Sequence, residues 1–137
     1  MIERVIIPAD LREAILGQAR HAAPREACGL LEGTRDGDVV RINAVHSARN
    51  VAKADDAFEI DPAEQFRLMH ALRDTPRSIV GCYHSHPNGR AEPSERDRAG
   101  ISEADFIWLI AAVSEGSEEL RGFVAGPDGF SPAALAE

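Results

Sequence analysis

Two histidines, His84 and His86, stand one residue apart in the stretch GCYHSHPNGRAEPSERD, and a carboxylate, Asp97, follows 11 residues after the second. In an extended chain, side chains at i and i+2 leave the same face with their Cα atoms roughly 6.5–7 Å apart, so both imidazoles can converge on one cation. Pro87 cannot continue a central strand, which puts the pair at a strand end. Asn88-Gly89 then turns the chain, and a connection of this length folds back easily to deliver Asp97. Two imidazoles and one carboxylate make three protein ligands. On zinc they leave the fourth tetrahedral position to water, the arrangement of a catalytic rather than a structural site. Iron accepts the same donors but comes with other surroundings, so zinc is the better match. The chemistry expected is metal-assisted hydrolysis.

The elements that must hold these residues show in the patterning. IERVIIP (2–8) has the apolar density of a short strand. Pro8-Ala-Asp opens a helix with Leu11, Ile15, Leu16 and Ala19 at helical spacing, and it stops by Pro24. ACGLLEG (27–33) and VVRINAVHSA (39–48) flank an Arg35-Asp-Gly-Asp turn and form a hairpin. Residues 49–57 are polar and loop-like, and FEID (58–61) is short and extended. Asp61 is an N-cap and Pro62 a first helical residue, opening a helix over 62–74 with its apolar members, Phe66, Met69 and Leu72, on one face. SIVGCYHSH (78–86) reads as a buried strand, 94–101 as a short helix, and DFIWLIAAV (105–113) as the most apolar strand. ELRGFVAG (119–126) pairs with it, and the tail from residue 130 is a final strand or turn. The sum is an α/β chain, one domain over 1–137, with a mixed β-sheet flanked by about three helices.

Composition narrows the partners. With 44% hydrophobic residues, the 137-residue chain can bury a core. A formal charge of −8, with arginines spread along the chain, disfavours a nucleic-acid partner. No apolar run approaches the length of a membrane span, and charges interrupt the first apolar residues, so the expected location is cytoplasmic. Cys28 and Cys82 are too few for a disulfide framework, contain no CxxC, and read as buried packing thiols. His21, His46 and His70 have no partner at ligand spacing and read as structural or surface residues. Trp108 reads as core or as a wall near the site.

Each half of the opening stretch has a bland explanation. Paired histidines occur at solvated strand ends by chance, and Ser94-Glu-Arg-Asp97 is the pattern of a capping box. Joined as HSHP, six residues, then SxxD, they resemble the signature of the JAMM/MPN+ metalloproteases, zinc-dependent deubiquitinating and related enzymes. PREACGLLEG (24–33) resembles that family's upstream glutamate strand, and the element order is similar from residue 2 to about 126. The resemblance implies a cytidine-deaminase-like architecture and one Zn2+ per chain held by His84, His86 and Asp97. It also implies Glu26 as the base for the attacking water and Ser94 as hydrogen-bond donor to the reacting carbonyl. Glu26 precedes a buried strand and is preferred to Glu13, Glu32 and Glu59, which read as solvated surface carboxylates. Asp97 is expected to act as ligand rather than cap.

The implied reaction is hydrolysis of an amide or isopeptide bond after the Gly-Gly tail of a ubiquitin-like or sulfur-carrier protein, by a small prokaryotic-type member without chain-gripping insertions. Asn88, Gly89 and the stretch 55–60 are candidate walls for the tail. The alternative is a catalytically silent, protein-binding scaffold of the same fold. A zinc deaminase is disfavoured because the later P-C-x-x-C ligands are absent.

Overall fold

The computed structural model describes residues 1–87 and 89–137. The strands are β1 (Arg4–Ile6), β2 (Cys28–Asp36), β3 (Val39–Ala48), β4 (Ser78–Pro87), β5 (Ile107–Ser114), β6 (Ser117–Gly126) and β7 (Gly129–Ala136). The helices are α1 (Ala9–Ala22), α2 (Pro62–Ala71) and α3 (Glu95–Ala99). The sheet is mixed, as the patterning suggests, but it closes into a barrel in the order β1-β3-β2-β4-β5-β6-β7. Closure rests on the tail that the sequence leaves undecided between strand and turn. β7 pairs antiparallel with β6 and parallel with β1, setting Leu135 opposite Val5. Its alanines and Pro132 are poor strand formers, so neighbours on both sides, rather than intrinsic preference, fix its conformation.

β5 explains why its sequence is apolar without alternation: both of its faces are covered. Ile107, Leu109, Ala111 and Val113 join a cluster with Ile15, Leu16 and Ala19 of α1. Trp108, Ile110 and Ala112 join a second cluster with Cys82, Phe58 and Phe130 on the opposite face. β4 divides the same way, with Tyr83 in the first cluster and Cys82 in the second. The phenol end of Tyr83 crosses β2 at Gly29, where a Cβ would come within 2.3 Å of its Cζ and hydroxyl oxygen. Only glycine permits that approach.

Two helices differ from their sequence reading. α2 ends at Ala71 instead of 74 and buries no residue fully. Asp61 caps it as expected, its carboxylate accepting from the Ala63 N–H at 3.0 Å. Its apolar residues do not share one face: Leu68 and Leu72 are partly buried, whereas Phe66 and Met69 are 68% and 56% exposed. Positions 66, 68, 69 and 72 span too much of the circumference for one sheet to cover. α3 is shorter than 94–101, because Gly100 ends it after five residues. Among the described residues, no helix is long and apolar enough to cross a membrane.

Candidate active site

Strand pairing brings the histidine pair to the start of β2. β2 runs antiparallel to β4 with Cys28 opposite His84, so Glu26, two residues earlier, arrives beside the end of β4. The junction is pinned by the residue between the histidines. Ser85 points away from them, accepts at Oγ from the Ala27 N–H at 2.8 Å, and donates its own N–H to the Ala27 carbonyl at 3.0 Å. Asn50 ties down the same segment from the other side. Its amide donates to the Glu26 and Ala57 carbonyls, both at 3.0 Å, and its oxygen accepts from the N–H groups of Ala52 and Glu59. α3 delivers Asp97 through a capping box: Ser94 Oγ accepts from the Asp97 N–H at 3.0 Å, and Asp97 Oδ2 accepts from the Ser94 N–H at 2.9 Å.

Three side chains converge, with Asp97 turning one oxygen to each ring. His84 Nε2 lies 3.0 Å from His86 Nε2 and 3.1 Å from Asp97 Oδ1, and His86 Nε2 lies 3.1 Å from Asp97 Oδ2. Ligands bound tetrahedrally to zinc at 2.0–2.1 Å stand about 3.3 Å apart, so the triangle has nearly the size such an ion requires. The hydrogen bonding also asks for a cation. His86 Nδ1 donates to the Arg90 carbonyl at 2.8 Å, which leaves the Nε2 lone pair of the neutral ring facing a carboxylate. Those two electron-rich atoms repel unless a proton or a metal stands between them. A buried nitrogen-nitrogen-oxygen set fits a zinc-like dication. Glu26 forms a looser group with the histidines, one atom of each lying within 4.8 Å of the others. That spacing suits a carboxylate acting beside the ion.

The surroundings bias each group. Burial pushes Glu26 up to about 7; His86 opposes this, while Asp97 and Asp56 add to it. Burial also works against ionised Asp97, yet the facing His84 and His86 rings, when a proton sits on the nitrogen turned to it, hold its carboxyl well below the usual range. His84 is fully enclosed, and burial pulls its pKa down. For His86 burial acts in the same direction but is outweighed by Asp97 and the Arg90 carbonyl, which raise it. Asp97 thus faces both rings while capping α3, so the expected choice between ligand and cap is not forced: a carboxylate has lone pairs for all of these contacts. Ser94 is exposed at the same cap.

Phe58 stacks on His84 with centroids 4.2 Å apart, and Trp108 meets the same ring edge-on at 5.8 Å. Together with Ile60 and Phe106 they line a cavity of about 230 Å³ that reaches Asp97. An Arg96–Asp56 ion pair of 3.1 Å links α3 to the 49–57 loop near this cavity. Gly89 donates its N–H to the His86 carbonyl at 3.2 Å, whereas Asn88 lies outside the described residues. Burial pushes the Cys28 thiol up to about 12 and Cys82 well above its ordinary value, so neither is an available thiolate nucleophile.

One sequence reading needs correction. Glu32 is 7% exposed rather than solvated, bonded to Arg77 at 2.9 Å and to His46 at 2.8 Å. His46, read as a structural or surface residue, supplies that contact from the adjacent strand, a pairing invisible to sequence spacing. The sequence reading also assigned no role to Ser85, Asn50 or the Arg90 carbonyl, and it named Phe58 only within the 55–60 stretch offered as a wall for the tail. Ser85 carried a signal, since it must point opposite to its histidine neighbours; the carbonyl carried none.

Residues 8–124 match the family described as prokaryotic homologs of the JAB domain. A desampylase of Haloferax volcanii is 37% identical over 114 residues, covering 80% of this chain and 81% of that protein. A CysO-cysteine peptidase of Mycobacterium tuberculosis is 30% identical over 120 residues, covering 87% of this chain and 81% of the relative. The solution structure of protein DSY2949 from Desulfitobacterium hafniense superposes with a TM-score of 0.86 at 30% identity, covering 96% of this chain and 90% of that one.

Proposed function

Since the chain belongs to the family of prokaryotic JAB-domain homologs and is a hydrolytic metallopeptidase, we propose that it cleaves the amide or isopeptide bond after the Gly-Gly tail of a ubiquitin-like or sulfur-carrier protein, using one zinc ion per chain. The observation that carries the reading is the triangle of His84, His86 and Asp97 atoms at 3.0–3.1 Å, with Glu26 beside it. The names of the two relatives supply the substrate class: one acts on a CysO–cysteine adduct and the other is a desampylase.

His84 Nε2, His86 Nε2 and an Asp97 oxygen would hold the ion. When bound, zinc supplies Lewis acidity, bringing the pKa of water near 7 and polarising a carbonyl. Glu26, already raised to about 7 by burial, takes a proton from the attacking water and passes it to the departing amine nitrogen. A base whose pKa lies near the working pH does both steps with little penalty. Ser94 Oγ already accepts from Asp97, so its O–H remains to donate to the carbonyl oxygen as negative charge builds there. Phe58 and Trp108 keep water from one side of His84, which strengthens the charge interactions at that ring. Ser85 and Asn50 fix the Glu26 backbone, on which the distance from base to substrate depends.

The test is hydrolysis of CysO carrying a C-terminal extension, followed by mass spectrometry, with protein as purified, stripped by chelator, and reloaded with zinc. Cleavage directly after the tail, lost on stripping and restored by zinc, is the expected result. Absence of turnover under every loading condition would leave the silent binding scaffold in its place.

A further inference from the structure

The two histidines of the site are held by different means. His86 is fixed by a hydrogen bond, its Nδ1 donating to the Arg90 carbonyl at 2.8 Å. His84 has no counterpart to that bond. Among the described residues, its Nδ1 is the buried side-chain polar atom without a hydrogen-bond partner, and the residue is 0% exposed, so bulk water does not supply one. A ligand histidine ordinarily donates its second ring N–H to a carbonyl, a carboxylate or water, which sets the ring's orientation as well as its tautomer. A buried polar group left unpaired calls for an explanation.

The polar contacts of His84 gather at Nε2, the atom turned to Asp97 and His86. With an ion at that atom, no hydrogen bond restrains rotation of the ring about its Cβ–Cγ bond. Aromatic packing does so instead. Phe58 stacks on the His84 ring with centroids 4.2 Å apart and an interplanar angle of 17°. Trp108 meets the same ring at 88°, which closes a second direction. Turning the imidazole out of its plane drives one edge into Phe58. A half-turn restores the stack but exchanges Nε2 for Cε1, and Asp97 Oδ1, 3.1 Å from Nε2, selects the nitrogen.

Phe58 is itself anchored on both sides. The Ala57 carbonyl accepts from the Asn50 amide at 3.0 Å, and the Glu59 N–H donates to the Asn50 oxygen at 3.1 Å. Both chain neighbours of Phe58 therefore hang on one side chain. Trp108 packs against Phe58 at 77° and against Phe130 at 71°, so the stack is backed by the second core cluster.

We infer that Phe58 is a positioning residue of the metal centre: its ring takes the place of the hydrogen bond that His84 lacks and holds the imidazole in the plane from which Nε2 faces the ion. The inference rests on the zinc site proposed above. It assigns the effect to the flat face of the ring and not to apolar bulk alone, because bulk without a plane leaves the imidazole free to turn.

The test compares Phe58→Leu, which keeps apolar bulk and loses the flat face, with Phe58→Tyr, which keeps both. Zinc affinity is read by competition with a chromogenic chelator. For Phe58→Leu the zinc Kd should rise about ten-fold or more, the scale on which loss of an outer support weakens a metal site. Phe58→Tyr should bind as wild type does. Melting of chelator-stripped protein checks that both variants fold. Proton–nitrogen spectra of the imidazoles in zinc-loaded protein give a second readout. The His84 Nδ1 proton should be sharp in wild type and Phe58→Tyr and broadened in Phe58→Leu, whereas the His86 Nδ1 proton, bonded to the Arg90 carbonyl, should be sharp in all three. A wild-type Kd in Phe58→Leu overturns the inference. So does a Phe58→Tyr loss as large as that of Phe58→Leu, or broadening of both histidines together, which marks general loosening of the site. A wild type that binds no zinc sinks the metal reading and this inference with it. A wild type that binds zinc but leaves the CysO extension uncut fails the substrate reading alone.

Discussion

Glu26→Gln should move stability and turnover in opposite directions. Glu26 is 7% exposed, and burial raises its pKa from 4.5 to about 7. A group whose folded pKa is raised contributes its stability below the unfolded value, and that contribution is lost as pH rises through the folded one. Between those limits the change from 4.5 to about 7 corresponds to about 3 kcal/mol at 1.36 kcal/mol per pH unit. The carboxylate retains contact with the open side of the site, so screening reduces this to about 1.5 kcal/mol. Glutamine keeps the shape and carries no charge. Above pH 7, Glu26→Gln should therefore be more stable than wild type by about 1.5 kcal/mol, or about 5 °C in Tm for a chain of this size. At pH 4, where the wild-type carboxyl is mostly protonated in both states, the two melting curves should nearly coincide. The melts are run by calorimetry with chelator present, because a bound dication would compensate the Glu26 charge. Zinc-loaded Glu26→Gln should lose about 10²–10⁴ in kcat, the usual contribution of a general base. If the variant melts below wild type at pH 8, the burial argument is wrong. If it turns over as wild type does, Glu26 is not the base.

Three further outcomes follow from the same contacts. The kcat/KM profile should fall as pH drops through the Glu26 pKa, with its limb at pH 7 or lower because a bound cation favours the carboxylate; stopped-time hydrolysis across pH 5–9 reads it. Asn50→Ala removes four hydrogen bonds that join residues 26, 52, 57 and 59, so Tm should fall by the equivalent of about 2–3 kcal/mol, and kcat should fall more than KM changes. Asp97→Asn keeps an oxygen for the Ser94 N–H but loses the charge facing both rings. Its helix cap should survive by circular dichroism, while elemental analysis after dialysis shows zinc falling from one per chain toward none.

Patterning made most of the elements legible. α1, the β2–β3 hairpin, β4 and β5 lie where apolar spacing and the turn at Gly37 predict them, because each carries its own local signal. The readings that failed or stayed open lack such a signal. β7 is a strand because β6 and β1 flank it, and neither neighbour can be inferred from FSPAALA. Glu32 and His46 meet across β2 and β3, where no sequence interval joins them. α2 was read as one apolar face, and its division into a packed side and an open one depends on which side meets the sheet.

For the site, the sequence by itself determined the chemical types and their order: two imidazoles on one side of a strand end, and a carboxylate on a short capped helix beyond. Spacing of two along a strand fixes a shared face with no help from the rest of the molecule. Only the tertiary structure decided that Glu26 stands beside them, since β2 must pair antiparallel with β4 to bring it there. It also decided that Phe58 covers His84 and that a backbone carbonyl sets the proton on His86. A pKa near 7 for Glu26 belongs to the same class, because desolvation depends on what surrounds a residue in space rather than on its neighbours along the chain.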